Sequence, residues 1–573
     1  MPAHSPQSAC SEQAWAFGRL DELWERLSPL TPYGKDRKAE RRVLSDRARI
    51  ERAYDDAEAF AVFAAAGGAD ARADRLTHHL RRLPRLPFGT EEGAGGLDLV
   101  GLFQVKKFLA NYRAAANLLD DGLRQRFDLR FEAHALAAAL DEGGSDPETF
   151  YIADAMHPDL PSLRAAVAET AAALSSTRET DRQSARLELG LDFRAREFLV
   201  VPAERARPLL ASPSPLVAVT VEPYDASSCV VRLQDGSAAL ELAERLDGLL
   251  ARERELEAQV VARLARLVRH DAARLLRYTE AVCALDLARA RAALALELQL
   301  TRPELGSDRL VARGARFLPC EWDCRRLGLV YAPLDLTLDE GAAVLFGSNM
   351  GGKTVALQSL VFLQAAAQAG LFVPAESYAT SVYPWIGYVG ELAADRAAAA
   401  RSGLSGFGFE IRSFLQSWRR ADAGGAFLVL DEFARTTSSL EAEAMLSAVV
   451  EALAGAPRSR SVLATHFRGV ARLPGVRYLR LLGLDRERAA RAMAAADEPL
   501  PERIRRINGM MRYQIVDEPP EDDGGSDAVT IARLLGLDAR IVDRAEELLA
   551  RRGGPAREPE RGPAAGRQPR RDG

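Results

Sequence analysis

The stretch Gly347-Ser348-Asn349-Met350-Gly351-Gly352-Lys353-Thr354 decides the fold of the C-terminal half. It satisfies the pattern G-x-x-x-x-G-K-[ST], in which glycine-rich backbone N–H groups cradle phosphates. An apolar run, Ala342 to Phe346, precedes it, and a long helical pattern, Val355 to Ala369, follows. Strand, glycine loop and helix N-terminus in that order aim backbone donors and the helix dipole at a polyanion. On this reading Gly347, Ser348, Asn349, Met350, Gly351, Gly352, Lys353 and Thr354 bind a nucleotide. Lys353 reaches the β- and γ-phosphates, and Thr354 holds Mg2+. Only five lysines stand among the 76 basic residues, and one of them is here.

Outward from that loop the chain is ordinary for a globular protein. Its 573 residues are 47% hydrophobic and 27% charged, which suggests roughly three to four domains. Five scattered cysteines suggest a reducing compartment rather than a disulfide framework. Cys320 and Cys324 are four apart with no His or Cys partner close in sequence, so they read as two ordinary thiols. There is no signal-peptide pattern and no run of 18 apolar residues, and the expectation is a cytoplasmic protein without a membrane segment. A net charge of −5 carries no basic excess to announce nucleic acid.

Residues 1–85 read as polar, Arg-rich helices. Residues 86–310 read as a mostly helical region, with a clear amphipathic helix from Leu97 to Leu119. A small β-rich insert at 190–236 is marked by Phe198 to Val201, Leu216 to Val221 and Cys229 to Leu233. From Leu249 to Arg302 there is neither Gly nor Pro, 54 residues in all. As one helix they would extend about 80 Å, a lever or coiled coil; the alternative is a helix pair joined by a polar turn. From about 311 to 550, strands alternate with helices, as in an α/β sheet. The tail 551–573, rich in Pro, Gly and Arg, reads as disordered.

Three further motifs follow the loop. Phe427 to Glu432 is a buried strand ending in two carboxylates. Asp431 can orient the Mg2+ shell, and Glu432 can take a proton from an attacking water. Val462-Leu463-Ala464-Thr465-His466 is another apolar strand, ending in a histidine suited to sensing a γ-phosphate. Between the glycine loop and the first of these strands, Leu404-Ser405-Gly406-Phe407-Gly408 opens a helix and resembles the L-S-G-G-Q signature of ABC-type ATPases. That resemblance implies that Ser405 and Gly406 act in trans on the nucleotide of a second chain.

Together these segments resemble the MutS family of DNA mismatch repair ATPases over about 240 residues. GSNMGGKT is similar to the family's G-P-N-M-G-G-K-S. Leu430 to Ala442 resembles L-D-E-x-G-R-G-T-S-T-x-D-G, Leu404 to Ile411 resembles S-T-F-M-x-E-M, and Leu463 to Phe467 resembles A-T-H-[FY]. Ala367 to Ala375 and Ser526 to Leu549 are similar to two more family segments, and fainter likenesses reach the core and the lever helices upstream. Ser348 replaces the loop proline, Ala434 and Thr436 replace two glycines, and Glu441 replaces an aspartate. The fold implied is an α/β P-loop ATPase domain of ABC type, ending in dimerisation helices, beside a helical core and lever domain. The activity implied is Mg2+-dependent ATP hydrolysis in a homodimer that closes like a clamp on DNA. Tyr331, the one aromatic between Trp322 and Phe346, is the candidate to stack on adenine.

The family's mismatch reader carries Phe-x-Glu, and no such tripeptide occurs here. The first 85 residues are expected to be too few for reader and connector domains, and the tail too short for a nuclease. Two classes of client therefore stay open. One is a DNA structure, as the family implies for DNA repair. The other is a protein: reduced MutS-like proteins with an N-G-M-M-x-Y segment, here Asn508 to Tyr513, accompany B12-dependent lysine or ornithine aminomutases and are thought to reactivate them. The acidic loop Asp517 to Asp527 suits the second.

Overall fold

In the computed structural model the described residues are 8–66, 69–87, 97–144, 146–194, 196–211, 217–347, 352–391, 406–435, 437–492, 499–518 and 527–552. The chain divides into two compact units. Unit 2 comprises Leu30–Lys35 and Ala66–Asp286; unit 1 comprises Met1–Pro29, Asp36–Ala65 and Leu287–Gly573.

In unit 2, β1 (Phe198–Pro202), β2 (Val219–Pro223) and β3 (Ser228–Leu233) form an antiparallel sheet in the order β1-β3-β2. Val201 and Val231 turn inward with Leu191 and Phe193 to make its small core. Helices Leu160–Leu189 and Ser237–His270 pack along each other, and helix Ala69–Arg82 packs on Leu99–Leu118. The Gly/Pro-free stretch is interrupted once, at Asp271, between helices Ser237–His270 and Ala272–Leu298. Asp271 N–H still reaches Leu267 O at 3.1 Å, and its carbonyl accepts Leu275 N–H at 3.0 Å. Both helical bonds are thus kept at the one irregular residue.

Unit 1 is mixed α/β. A four-stranded sheet combines β4 (Glu304–Leu305), β5 (Leu310–Ala315), β6 (Leu334–Leu338) and β8 (Ser377–Thr380) in the order β4-β8-β5-β6. A six-stranded sheet combines β7 (Ala342–Phe346), β9 (Trp385–Val389), β10 (Ala426–Asp431), β11 (Arg460–Thr465), β12 (Val476–Leu484) and β13 (Met511–Asp517). Their order is β13-β12-β7-β11-β10-β9, parallel except at β13. β7 is apolar at every position because both faces of the sheet are covered. Ala343 and Leu345 face helix Lys353–Gln368, whereas Ala342, Val344 and Phe346 face helix Ser439–Gly455. The two faces follow from the two-residue period of a strand.

The N-terminal helical region expected over 1–85 is shared between the units. Within unit 1, Ser11 N–H bonds Ile386 O at 3.0 Å, and the Phe17 ring stacks on Tyr388 at 3.8 Å. Ala14, Trp15, Leu20 and Leu23 are buried in the same core as β7 and β10. The tail from 553 onward and the acidic loop between 519 and 526 lie outside the described residues. Among the described residues no helix is long and apolar enough to cross a membrane.

Candidate functional site

The parallel order β7-β11-β10 brings three sequence motifs to one edge of the sheet. Thr465 pairs with Phe346, and Asp431 with Ala464, so the three strands end level. Gly347, His466 and the Asp431–Glu432 pair therefore emerge side by side at the carboxyl ends, where open α/β sheets bind ligands. Gly352, at φ +91°, caps the N-terminus of helix Lys353–Gln368; a side chain would be strained in that conformation.

Lys353 is buried, and its Nζ donates to Gly347 O at 2.7 Å. Burial pulls the ammonium pKa below its ordinary value, while Glu432 and Asp431 act to raise it. Thr354 Oγ1 donates to Asp431 Oδ2 at 2.9 Å. The other oxygen, Asp431 Oδ1, is buried with no hydrogen-bond partner among the described residues. Burial raises the Asp431 pKa above its ordinary value; the Thr354 hydroxyl opposes this and neighbouring Glu432 adds to it.

Glu432 leaves the strand in a left-handed backbone conformation, φ +51°, its N–H on Ala464 O at 3.0 Å. Its carboxylate sits among three basic groups: Lys353 Nζ at 3.8 Å, His466 Nδ1 at 3.7 Å and Arg435 Nη1 at 4.0 Å. Ala434, where the resemblance expected glycine, is also left-handed at φ +65°. Its N–H donates to Glu410 Oε2 at 3.2 Å. Glu410 is buried on helix Gly406–Asp422, and burial raises its pKa.

Beside Gly352 opens a cavity of about 120 Å³. Tyr331 lines it, with Val355, Ala356, Leu481 and Pro333. The Tyr331 hydroxyl is committed elsewhere, accepting Phe317 N–H at 2.6 Å. Two lining residues were missed as site residues, Asn508 and Tyr513. The Tyr513 ring lies so close to Gly352 that a Cβ there would approach it to 3.1 Å. Asn508 accepts Val330 N–H at 2.8 Å and donates to the Tyr513 hydroxyl at 3.1 Å, joining the cavity's two sides. The signal was the N-G-M-M-x-Y segment, read for its resemblance and not for its place. Ser348, Asn349, Met350, Gly351 and Ser405 lie outside the described residues, and Gly406 begins helix Gly406–Asp422.

Residues 343–551 match the family model for MutS domain V. The chain is 32% identical over 321 residues to a protein of Thermomicrobium roseum named Endonuclease MutS2, covering 54% of this chain and 37% of that one. It is 30% identical over 323 residues to the DNA mismatch repair protein MutS of Paracoccus denitrificans, covering 54% and 33%. An Endonuclease MutS2 of Solidesulfovibrio magneticus is 30% identical over 310 residues, covering 54% and 37%. The match thus spans about a third of each relative's own length. The strand-end constellation falls inside this matched segment, so the likeness to the MutS family rests on residues that carry the candidate site.

Proposed function

We propose that this chain binds ATP and hydrolyses it, and that two copies close around the nucleotide. The observation that carries this reading is the Asp431 carboxylate. One oxygen takes the Thr354 hydroxyl, and the other is buried and unmatched beside the phosphate loop. An unsatisfied buried carboxylate oxygen is costly, and a cation shell is what would satisfy it. Thr354 and Asp431 would hold Mg2+, which supplies positive charge to the phosphate oxygens when bound.

The chain's own residues divide the remaining work. Lys353, held next to Gly347, reaches the terminal phosphates. Glu432 accepts the proton of the attacking water, and His466, 3.7 Å away, senses the terminal phosphate. The cavity at Gly352 takes the base, with Tyr513 and Tyr331 on its walls. Ser405 and Gly406 meet the nucleotide of the second copy, as in ABC-type ATPases. A terminal phosphate that both faces can bind drives closure, and its loss lets them part.

The relatives' names, DNA mismatch repair protein and Endonuclease, support DNA as the client and DNA repair as the setting. A second reading, ATP-driven reactivation of a B12-dependent aminomutase, is favoured by the pairing of arginines on the long helices. Arg164 is matched by Glu253, Glu257 and Asp154, and Arg178 by Asp235, so neither is free for a phosphate backbone.

Glu432→Gln tests the ATPase reading. It keeps nucleotide binding, stops phosphate release, and accumulates a dimer with saturating Mg·ATP by sedimentation. Hydrolysis at the parental rate would remove Glu432 from its role. Stimulation of turnover by duplex or branched DNA, against stimulation by an inactivated aminomutase, separates the two clients.

A further inference from the structure

In unit 2, helix Leu99–Leu118, the short helix Asp121–Arg126 and the segment entering helix His134–Asp141 enclose a cleft of about 670 Å³. Arg113, Arg124, Arg130 and His134 line it with the amides of Asn117 and Gln125. The one acidic lining residue is Asp121, which bonds Arg124 and is otherwise 96% exposed. Phe131 provides an aromatic wall. The Arg113 guanidinium lies 5.5 Å from its centroid, and the His134 ring meets it edge-on at 5.0 Å. That wall is fixed from behind, because Phe131 stacks toward Tyr278, whose hydroxyl accepts Glu132 N–H at 2.6 Å.

Elsewhere in unit 2, Arg164 and Arg178 on helix Leu160–Leu189 take carboxylates. Arg113 and Arg130 do not: among the described residues neither has an ion pair. Two guanidiniums facing one concavity without a counter-charge repel each other. A shared anion relieves that repulsion, and the planar five-donor fork of arginine suits an oxyanion with several acceptor oxygens. Carboxamide groups and an imidazole beside them add further donors to the same oxygens. We propose that this cleft is an anion site for phosphate groups, with Arg113 and Arg130 as its principal ligands. It shares no residue with the nucleotide site and stands whether or not ATP is hydrolysed. The phosphates can come from a nucleic-acid backbone or from a free polyphosphate.

The test uses the full chain and the double variant Arg113→Ala/Arg130→Ala, with Arg113→Lys/Arg130→Lys as the charge-retaining control. Unchanged circular dichroism and thermal midpoint show that the fold survives. Labelled single-stranded and duplex oligonucleotides are titrated over a salt series. Losing two phosphate contacts lowers the slope of log affinity against log salt by about 1.4 for single strands or about 1.8 for duplex. Affinity at low salt falls about 10-fold or more, and the lysine variant recovers most of it. Tripolyphosphate is titrated by calorimetry in a Lys353→Ala background, where the phosphate loop no longer competes. Loss confined to the oligonucleotides assigns the cleft to a nucleic-acid backbone, and loss confined to tripolyphosphate assigns it to a small polyphosphate. Parental slopes and affinities for every probe in the alanine variant would overturn the proposal.

Discussion

Replacing Asp431 by Asn should change the sign of its effect on stability when nucleotide is added. In the free chain the carboxylate is a burden. Its Oδ1 is buried without a partner, and burial holds its pKa above the ordinary 3.8. An unmatched buried polar atom costs about 1–3 kcal/mol. The near-isosteric amide keeps an oxygen for the Thr354 hydroxyl and removes the charge, though not every unmatched atom. A net gain of about 1 kcal/mol follows, or roughly 2 °C in the midpoint of a unit this size. The pH dependence has a definite sign. An acid whose folded pKa is raised costs nothing while protonated in both states; the cost develops as pH rises through the raised value. The advantage of the variant is therefore full near neutrality and narrows toward the ordinary carboxylate range. With a non-hydrolysable ATP analogue and Mg2+ at about 100 times the dissociation constant, the parental chain gains about 2.7 kcal/mol by mass action. The variant gains far less, and the order of the two midpoints inverts. Thermal melts with and without the analogue suffice. A ligand-free midpoint at least a few degrees below the parental one would make Asp431 a structural hydrogen-bond partner, and equal ligand shifts would take it out of the cation shell.

Two more outcomes concern the composite site and the base cavity. Ser405→Arg and Lys353→Ala should each be silent alone, yet mixing them restores turnover to about a quarter of the parental rate, because half the random dimers carry one intact site. No recovery on mixing, or full activity of Ser405→Arg alone, would mean that each nucleotide is served by one chain. Tyr513→Ala should weaken ATP binding about 3- to 10-fold, the worth of one aromatic wall, with little change in fold. Tyr331→Phe should instead cost about 1–3 kcal/mol of stability by orphaning Phe317 N–H and leave ATP affinity as it was. Calorimetry and melts on both variants decide the case, and an unchanged affinity in Tyr513→Ala would move the base elsewhere.

The motifs at the strand ends were legible because each is local. Ala342 to Phe346, Phe427 to Asp431 and Val462 to Thr465 are apolar runs that need no knowledge of their neighbours to be read as buried strands. Their parallel register then places the chemistry without further information. What was not legible depends on partners hundreds of residues away. Cys10 bridges to Ile386 and Phe17 stacks on Tyr388, yet nothing in the pattern of residues 8–29 names a strand more than 350 residues downstream. Tyr513 escaped for the same reason, since its role rests on Gly352 lying across the fold from it. Asp271 shows a third kind of limit, in that absence of Gly and Pro predicts helix but not the one residue where the helix is interrupted.

The departures from the family's glycines become intelligible at Ala434. A left-handed non-glycine residue costs about 1–2 kcal/mol, and two such residues, Glu432 and Ala434, stand two positions apart in this one turn. Such strain persists only where surrounding structure over-determines it. Here the constraint is the buried Glu410 carboxylate, which accepts Ala434 N–H; a hydrogen bond to a charged group contributes about 1.5–3 kcal/mol, enough to offset one residue's strain. The Ala434 methyl is also fully buried in the core beneath helix Ser439–Gly455. The turn that glycine would have made freely is thus held by a contact from helix Gly406–Asp422. Because Glu432 leaves the strand through that turn, the direction of its carboxylate toward Lys353 and His466 depends on where that helix sits. A shift at the Gly406 end of the helix therefore has a direct mechanical path to the residue assigned as the base.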